Sequence, residues 1–189
     1  MPITGPASSG SEVEEAAAEH PRVLHGATST APPAWISRVI VGVLAVTGLA
    51  VDQWTKHLVL GELVPGEPVR VVGDVLTLQL HFNPGAAFSM GTQFTVVLSC
   101  LALGVLVAVS TLVAPRVRGR LLAVATGLLL AGVAGNLFDR LFRAPGPFLG
   151  HVVDFIALRG FAIFNVADMC ITSAAGLFII WSVLSERRR

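Results

Sequence analysis

One aspartate in this sequence opens a predicted membrane span, and another stands in an apolar context beside it. Asp168 lies three residues after Asn165 at the start of FNVADMCITSAAGLFIIWSVL (164–184), and Asp154 sits in HVVDF between Val153 and Phe155. A carboxylate at membrane depth costs about 3 kcal/mol on insertion scales unless something offsets it, so such a residue points to function by default. Neither aspartate has a basic neighbour in local sequence. Brought together at a partly dry interface, two carboxylates repel and lose solvation, which raises one pKa and leaves a pair sharing a proton. Such a pair can hydrolyse an amide. One member takes a proton from the attacking water, while the protonated member polarises the carbonyl oxygen and then helps the amine depart. The pKa values belong to the pair rather than to either residue.

Other polar residues fall into short motifs. Asp52 and Lys56 of DQWTK are four apart, hence neighbours on one helix face and a natural ion pair; Lys56 is the only lysine in the chain. Asn83, followed by Pro84 and Gly85, reads on spacing alone as a turn-former. Asn136, Asp139 and Arg140 of GNLFDR occupy i, i+3 and i+4, where Asp139 can pair with Arg140 or Arg143. Snorkelling or capping explains any one of these, and the group together forms a polar surface. Asn165 and Asp168, three apart, share a helix face. His57, His81 and His151 are scattered singly and no HExxH occurs, so neither a metal nor a cofactor is expected.

The elements that must position these residues follow from hydropathy. The 189 residues are 53% hydrophobic and 13% charged, which marks an α-helical integral membrane protein. Residues 1–33 are rich in Pro, Ser, Ala, Gly and Glu without apolar period, and read as a disordered cytoplasmic tail. Four apolar segments then approach the ~20 residues a bilayer demands, at about 35–58, 94–114, 121–138 and 164–184. Arg38, Arg116, Arg118, Arg120 and Arg187 flank one set of ends, which places both termini in the cytoplasm despite Arg140, Arg143 and Arg159 on the other side. Gly127, Ala131 and Gly135 form a close-packing stripe on the third span. Between the first two spans, Leu76, Leu78, Leu80 and Phe82 alternate with polar residues, so a small extracytoplasmic β-sheet element is expected over about 66–90. The connection from 141 to 160 is rich in Gly and Pro. Cys100 and Cys170 lie in apolar runs and read as buried hydrophobes. No basic stripe with interleaved aromatics suggests nucleic acid as a partner. All five polar motifs fall at one end of the predicted bundle, the outer interface.

Taken in order, DQWTK, FNPGAAFS, GNLFDR, VVDF and FNVAD resemble the type II (lipoprotein) signal peptidase family of bacteria. The resemblance spans residues from about 35 to 185. It implies a four-helix membrane aspartyl endopeptidase of the bacterial cell membrane that cleaves prolipoproteins before a diacylglyceryl-modified cysteine. By the same resemblance, Asp154 and Asp168 would be the catalytic pair. Asn83, Asn136, Arg140 and Asn165 would contact substrate or hold the pair, while Asp52, Lys56 and Asp139 would brace the site. Lipidated prolipoprotein and membrane lipid are the implied partners, met by a monomer.

Rival readings of the same residues stay open on sequence alone. A Ser–Lys protease would need Lys56 as base, with Asp52 one turn away keeping it protonated. A proton-coupled transporter would relay protons through Asp154 and Asp168, and predicts acids at several depths and repeated half-sequences. A structural scaffold would leave the clustered motifs without a role.

Overall fold

The structure is a computed structural model that describes residues 33–85 and 92–187; the tail expected over 1–33, Pro33 apart, lies outside the described residues, as does Ser89. Four helices follow, each long and apolar enough to cross a membrane. They are α1 (Ala34–Glu62), α2 (Thr92–Ala108), whose span runs on through two further turns to cover Phe94–Arg116, α3 (Arg120–Phe142) and α4 (Val166–Glu186). The protein is a multi-pass membrane protein.

α1 and α3 run four residues past the ends expected from hydropathy, to Glu62 and Phe142. Hydropathy marks where hydrocarbon stops, and a helix is free to continue beyond it. At 1.5 Å per residue α1 is ~43 Å long, against a hydrocarbon core of ~30 Å. Its last turns therefore project out to meet the sheet. α2 loosens into one π turn (Val109–Val113) and one 3₁₀ turn (Ala114–Arg116). Pro115 has no N–H to continue the α pattern there.

α3 is the central helix. Half of its span is buried, whereas in the other three no more than 11% is. Val39, Val43, Leu101 and Ile179 on those outer helices stay exposed, as lipid-facing residues must. The Gly127–Ala131–Gly135 stripe is the seam with α1: a Cβ on Gly127 would approach Val41 O to 3.1 Å, and one on Gly48 would lie 2.6 Å from Ala131 Cβ. Small residues here let two backbones close up in a setting without a hydrophobic drive between helices.

The sheet is larger than the two strands legible from alternation. β1 (Val69–Val72) and β2 (Leu76–Asn83) lie between α1 and α2 as expected, but β3 (Val152–Leu158) and β4 (Ile163–Phe164) come from the connection between α3 and α4. The order is β1-β2-β3-β4, antiparallel throughout. β3 was illegible because Val152, Val153, Asp154 and Phe155 are all buried, so the strand lacks the apolar–polar alternation of a half-exposed one. Val153 and Phe155 pack with Leu80 and Val59, fastening the sheet to the end of α1. Because side chains alternate across a strand, Asp154 points to the opposite face.

Candidate active site

Asp154 and Asp168 arrive from different elements and meet around one residue, Asn165. Asn165 is the N-cap of α4: its Oδ1 accepts from the Asp168 N–H (3.0 Å), and Asp168 Oδ2 accepts from the Asn165 N–H (3.2 Å). This reciprocal capping box forms because the first amides of a helix have no partners within it. It also fixes Asp168 against the backbone. The Asn165 side chain, fully buried, sends Nδ2 to Asp154 Oδ1 at 2.6 Å and to Asn136 Oδ1 at 3.1 Å. The three-residue spacing that suggested a shared helix face is thus a cap, with Asn165 one step outside the helix.

Asn136, near the end of α3, completes the link. Its Oδ1 takes Lys56 Nζ (3.3 Å) and Asn165 Nδ2, so its own Nδ2 must face the other way, and it donates to Asp168 Oδ1 at 2.7 Å. Asn83, at the end of β2, has both of the roles its sequence left open. Its Oδ1 accepts from the Gly85 N–H (2.8 Å), an Asx turn, and its Nδ2 donates to Asp154 Oδ2 at 2.9 Å. The register makes that contact available: Asn83 opposes Val152, so Asp154 lies two residues along on the same face.

Below this layer lies a second set of charges. Lys56, fully buried, places Nζ 2.9 Å from Asp52 Oδ2, 2.7 Å from Asp139 Oδ2 and 3.3 Å from Asn136 Oδ1. Three N–H donors thereby meet three acceptors. Asp139 also pairs with Arg143 (2.6 Å), the second of the two partners its sequence allowed. Arg140 instead donates Nη1 to Asn136 O (3.2 Å), and its buried Nε–H has no partner among the described residues. Arg140 stands within electrostatic reach of Asp139, Asp154 and Asp168. Three cations, Lys56, Arg140 and Arg143, thus face four carboxylates, and a single proton brings the group to neutrality.

Burial pushes the Asp154 carboxyl up to about 6; Asn83 pulls it down and Asp168 pushes it up, with smaller downward pulls from Asn165 and Lys56. Asp154 is 2% exposed. Asp168 is half-buried and lines a largely apolar cavity of ≈ 550 Å³ with Phe161, Phe164, Met169 and Thr172. A cavity of ≈ 640 Å³ beside Phe82, Phe142, Arg143 and His151 contains none of the four carboxylates. The smaller one is therefore where a reactant could meet an acid. Among the described residues, no three His, Cys, Asp or Glu side chains gather as a metal-holding group. Among the described residues, Lys56 has carboxylates and an amide as partners and no serine, and Asp52 and Asp139 beside it favour its protonated form over the free amine a Ser–Lys base would need.

Several contributors escaped the sequence reading. Gln53 donates to Asp52 Oδ2 (3.0 Å), Gly135 O (3.1 Å) and Asp139 Oδ1 (3.3 Å), and accepts from Arg143 (3.3 Å). Its only signal was an amide inside an apolar helix. Thr95 and Ser99 of α2 reach Pro84 O and Phe148 O, tying down the loops on either side of the site. Hydroxyls at i and i+4 in a membrane span were the available clue.

A family model described as signal peptidase II matches residues 44–184. The chain is similar to the lipoprotein signal peptidase of Rhodococcus jostii (strain RHA1), 41% identical over 160 residues covering 83% of this chain and 80% of that protein. It is 44% identical over 158 residues to the lipoprotein signal peptidase of Mycobacterium avium (strain 104), covering 82% of this chain and 86% of that one. A solved bacterial membrane enzyme, determined by the in meso method at 2.3 Å resolution, superposes with a TM-score of 0.69 at 27% identity, covering 79% of this chain and 90% of that chain. Another, at 1.9 Å, gives 0.66 at 29%, covering 74% and 90%.

Proposed function

The chain belongs to the signal peptidase II family and is a membrane protease; we propose that it removes signal peptides from prolipoproteins with Asp154 and Asp168 as its catalytic pair, cleaving before a diacylglyceryl-modified cysteine. The observation that carries this reading is Asn165, whose side chain holds Asp154 while its main chain and cap hold Asp168. Two carboxylates from separate elements are thereby aimed at one place.

Asp154, the more deeply buried, holds the shared proton and polarises the scissile carbonyl. Asp168, open to the cavity, takes a proton from the attacking water. When the amine leaves, the proton gained by Asp168 is available to it, and the pair returns to one proton between two carboxylates. The free Arg140 Nε–H and the Asn83 and Asn136 amides are placed to bind the peptide backbone around the scissile bond. The apolar cavity beside Asp168 suits the greasy part of the substrate. Acyl chains stay in the bilayer at roughly 0.8 kcal/mol per CH₂, which delivers the modified cysteine at interface depth.

The end bearing Arg38, Arg116, Arg118, Arg120 and Arg187 faces the cytoplasm on this reading, and the site opens at the extracytoplasmic interface. Every residue invoked comes from one chain, so a monomer suffices. The tail over 1–33 supplies none of them and is dispensable for turnover.

The test uses purified protein in lipid with a prolipoprotein, diacylglyceryl-modified or not. Wild type should cleave the modified form alone. Asp154→Asn and Asp168→Asn should each lose about 10³-fold or more of the rate while remaining inserted, in line with what positioned acid–base groups supply. Cleavage near the wild-type rate by either variant overturns the pair.

A further inference from the structure

Asp52 and Asp139 share an arrangement that the proposed chemistry does not itself require. Asp52 Oδ1 accepts from the backbone N–H of Ala167 at 2.9 Å, and Ala167 immediately precedes Asp168. Asp139 Oδ2 accepts from the backbone N–H of Val153 at 3.1 Å, and Val153 immediately precedes Asp154. Both carboxylates are gripped by the same ammonium, Lys56 Nζ, at 2.9 and 2.7 Å, and all three side chains are fully buried. The two amides belong to β3 and α4.

We propose that Lys56, with Asp52 and Asp139, is a positioning bracket: it fixes the separation of the two catalytic aspartates by holding the backbone one residue before each. This rests on the reading of Asp154 and Asp168 as the catalytic pair. The bracket is rigid because every bonding position of the ammonium is filled, by Asp52, Asp139 and Asn136. Gln53 adds a second bond to Asp52 Oδ2, and Gln53 and Arg143 together fill Asp139 Oδ1, so neither carboxylate is free to swing. The Ala167 amide belongs to the first turn of α4 and the Val153 amide to β3, so each bond restrains an element rather than a lone side chain. A bound amide one residue from a carboxylate leaves its Cα little freedom, and a displacement of about 1 Å in a reacting group costs about 10²-fold in rate.

The bracket also has an electrostatic signature. The groups facing Asp154 are Asp168 from α4, Lys56 from α1, Arg140 from α3 and His81 across the sheet on β2. Removing the Lys56 charge removes one influence that favours ionised Asp154, whereas exchanging it for another cation does not.

Lys56→Met and Lys56→Arg are compared with wild type and with Asp154→Asn and Asp168→Asn in the lipidated-prolipoprotein assay. Lys56→Met should lower kcat about 10²-fold with KM nearly unchanged, and should move the alkaline limb of the pH–rate profile upward. Lys56→Arg keeps the charge but replaces a three-way point donor with a planar fork. It should lose rate with the limb unmoved. Folded variants with wild-type kcat, or with a change confined to KM, overturn the bracket. Amide exchange in the wild-type protein decides the matter even where a variant does not fold: Val153 and Ala167 should be among the slowest amides at this end of the bundle, and fast exchange at either overturns the proposal. Cleavage by Asp154→Asn or Asp168→Asn would instead overturn the catalytic pair, leaving the exchange result to speak for the bracket alone.

Discussion

The two ends of the helix bundle handle charge in opposite ways. At one end Asp52, Lys56, Asp139 and Asp154 are at most 2% exposed, and every one has a partner within 3 Å. At the other, Arg38, Arg116, Arg118, Arg120 and Arg187 are all exposed, and none forms a salt bridge among the described residues. An exposed charge at an interface keeps its water and loses little, so it tolerates approximate placement. A buried one has given up several kcal/mol of solvation and is stable only with its partners in place. The buried end is therefore a single interlocked network of charges, whereas arginines at the other end, such as Arg38 and Arg116, bond only to backbone carbonyls. Aspartate shows the same division: Asp74 pairs with Arg70 on the surface, while Asp52, Asp139, Asp154 and Asp168 all join the buried network.

If interlocking is what separates the two ends, substitutions should spread at one and stay local at the other. After the two aspartates of the proposed pair and Lys56, the next largest effect should come from Asn165→Ala, which removes the α4 cap and both of its side-chain links. The cleavage rate should fall at least ~10-fold, and the lost cap alone should cost about 1 kcal/mol in thermal or denaturant unfolding. A variant that lost stability but kept its rate would show that Asn165 caps the helix without holding the pair.

Gly135→Ala tests the seam beneath the site. The added Cβ would lie 2.6 Å from Asp52 Oδ2 and 3.0 Å from Ala167 Cβ. Forced repacking of that kind costs about 1–3 kcal/mol, and activity should fall with stability because Asp52 is displaced. Calorimetry alongside the cleavage assay checks both.

Stability should also depend on pH through Asp154. Its pKa lies at about 6, above the ordinary 3.8, so folding favours the protonated form. That contribution is full below about pH 4 and is lost as pH rises through 6. It amounts to about 3 kcal/mol at most. The difference in melting temperature between wild type and Asp154→Asn should therefore change between pH 4 and 7, and parallel curves would refute the shift.

The smallest effect belongs to the arginine end. Arg118→Gln should change stability by less than about 0.5 kcal/mol and leave the rate within about twofold, since exposed unpaired charges contribute little. A loss comparable to that of Gly135→Ala would erase the distinction between the ends.

The sequence by itself determined the four helices, since ~20 apolar residues have no other stable arrangement in a bilayer. It also determined β2 through its alternation, a close-packing stripe on the third span through Gly127, Ala131 and Gly135, and the grouping of polar motifs at one end. These are local properties, readable from period and composition. Tertiary structure alone decided what the polar residues do. Gln53 meets Asp139 across 86 positions of sequence, and Ala167 meets Asp52 across 115. No periodicity carries such pairings, because they depend on how closely α1, α3 and α4 pack. The same holds for β3. Its burial on both faces erased the pattern of a strand, and the register that places Asp154 beside Asn83 exists only once β2 lies alongside. The strength of a buried polar group comes entirely from its partners, and partners are a property of the fold.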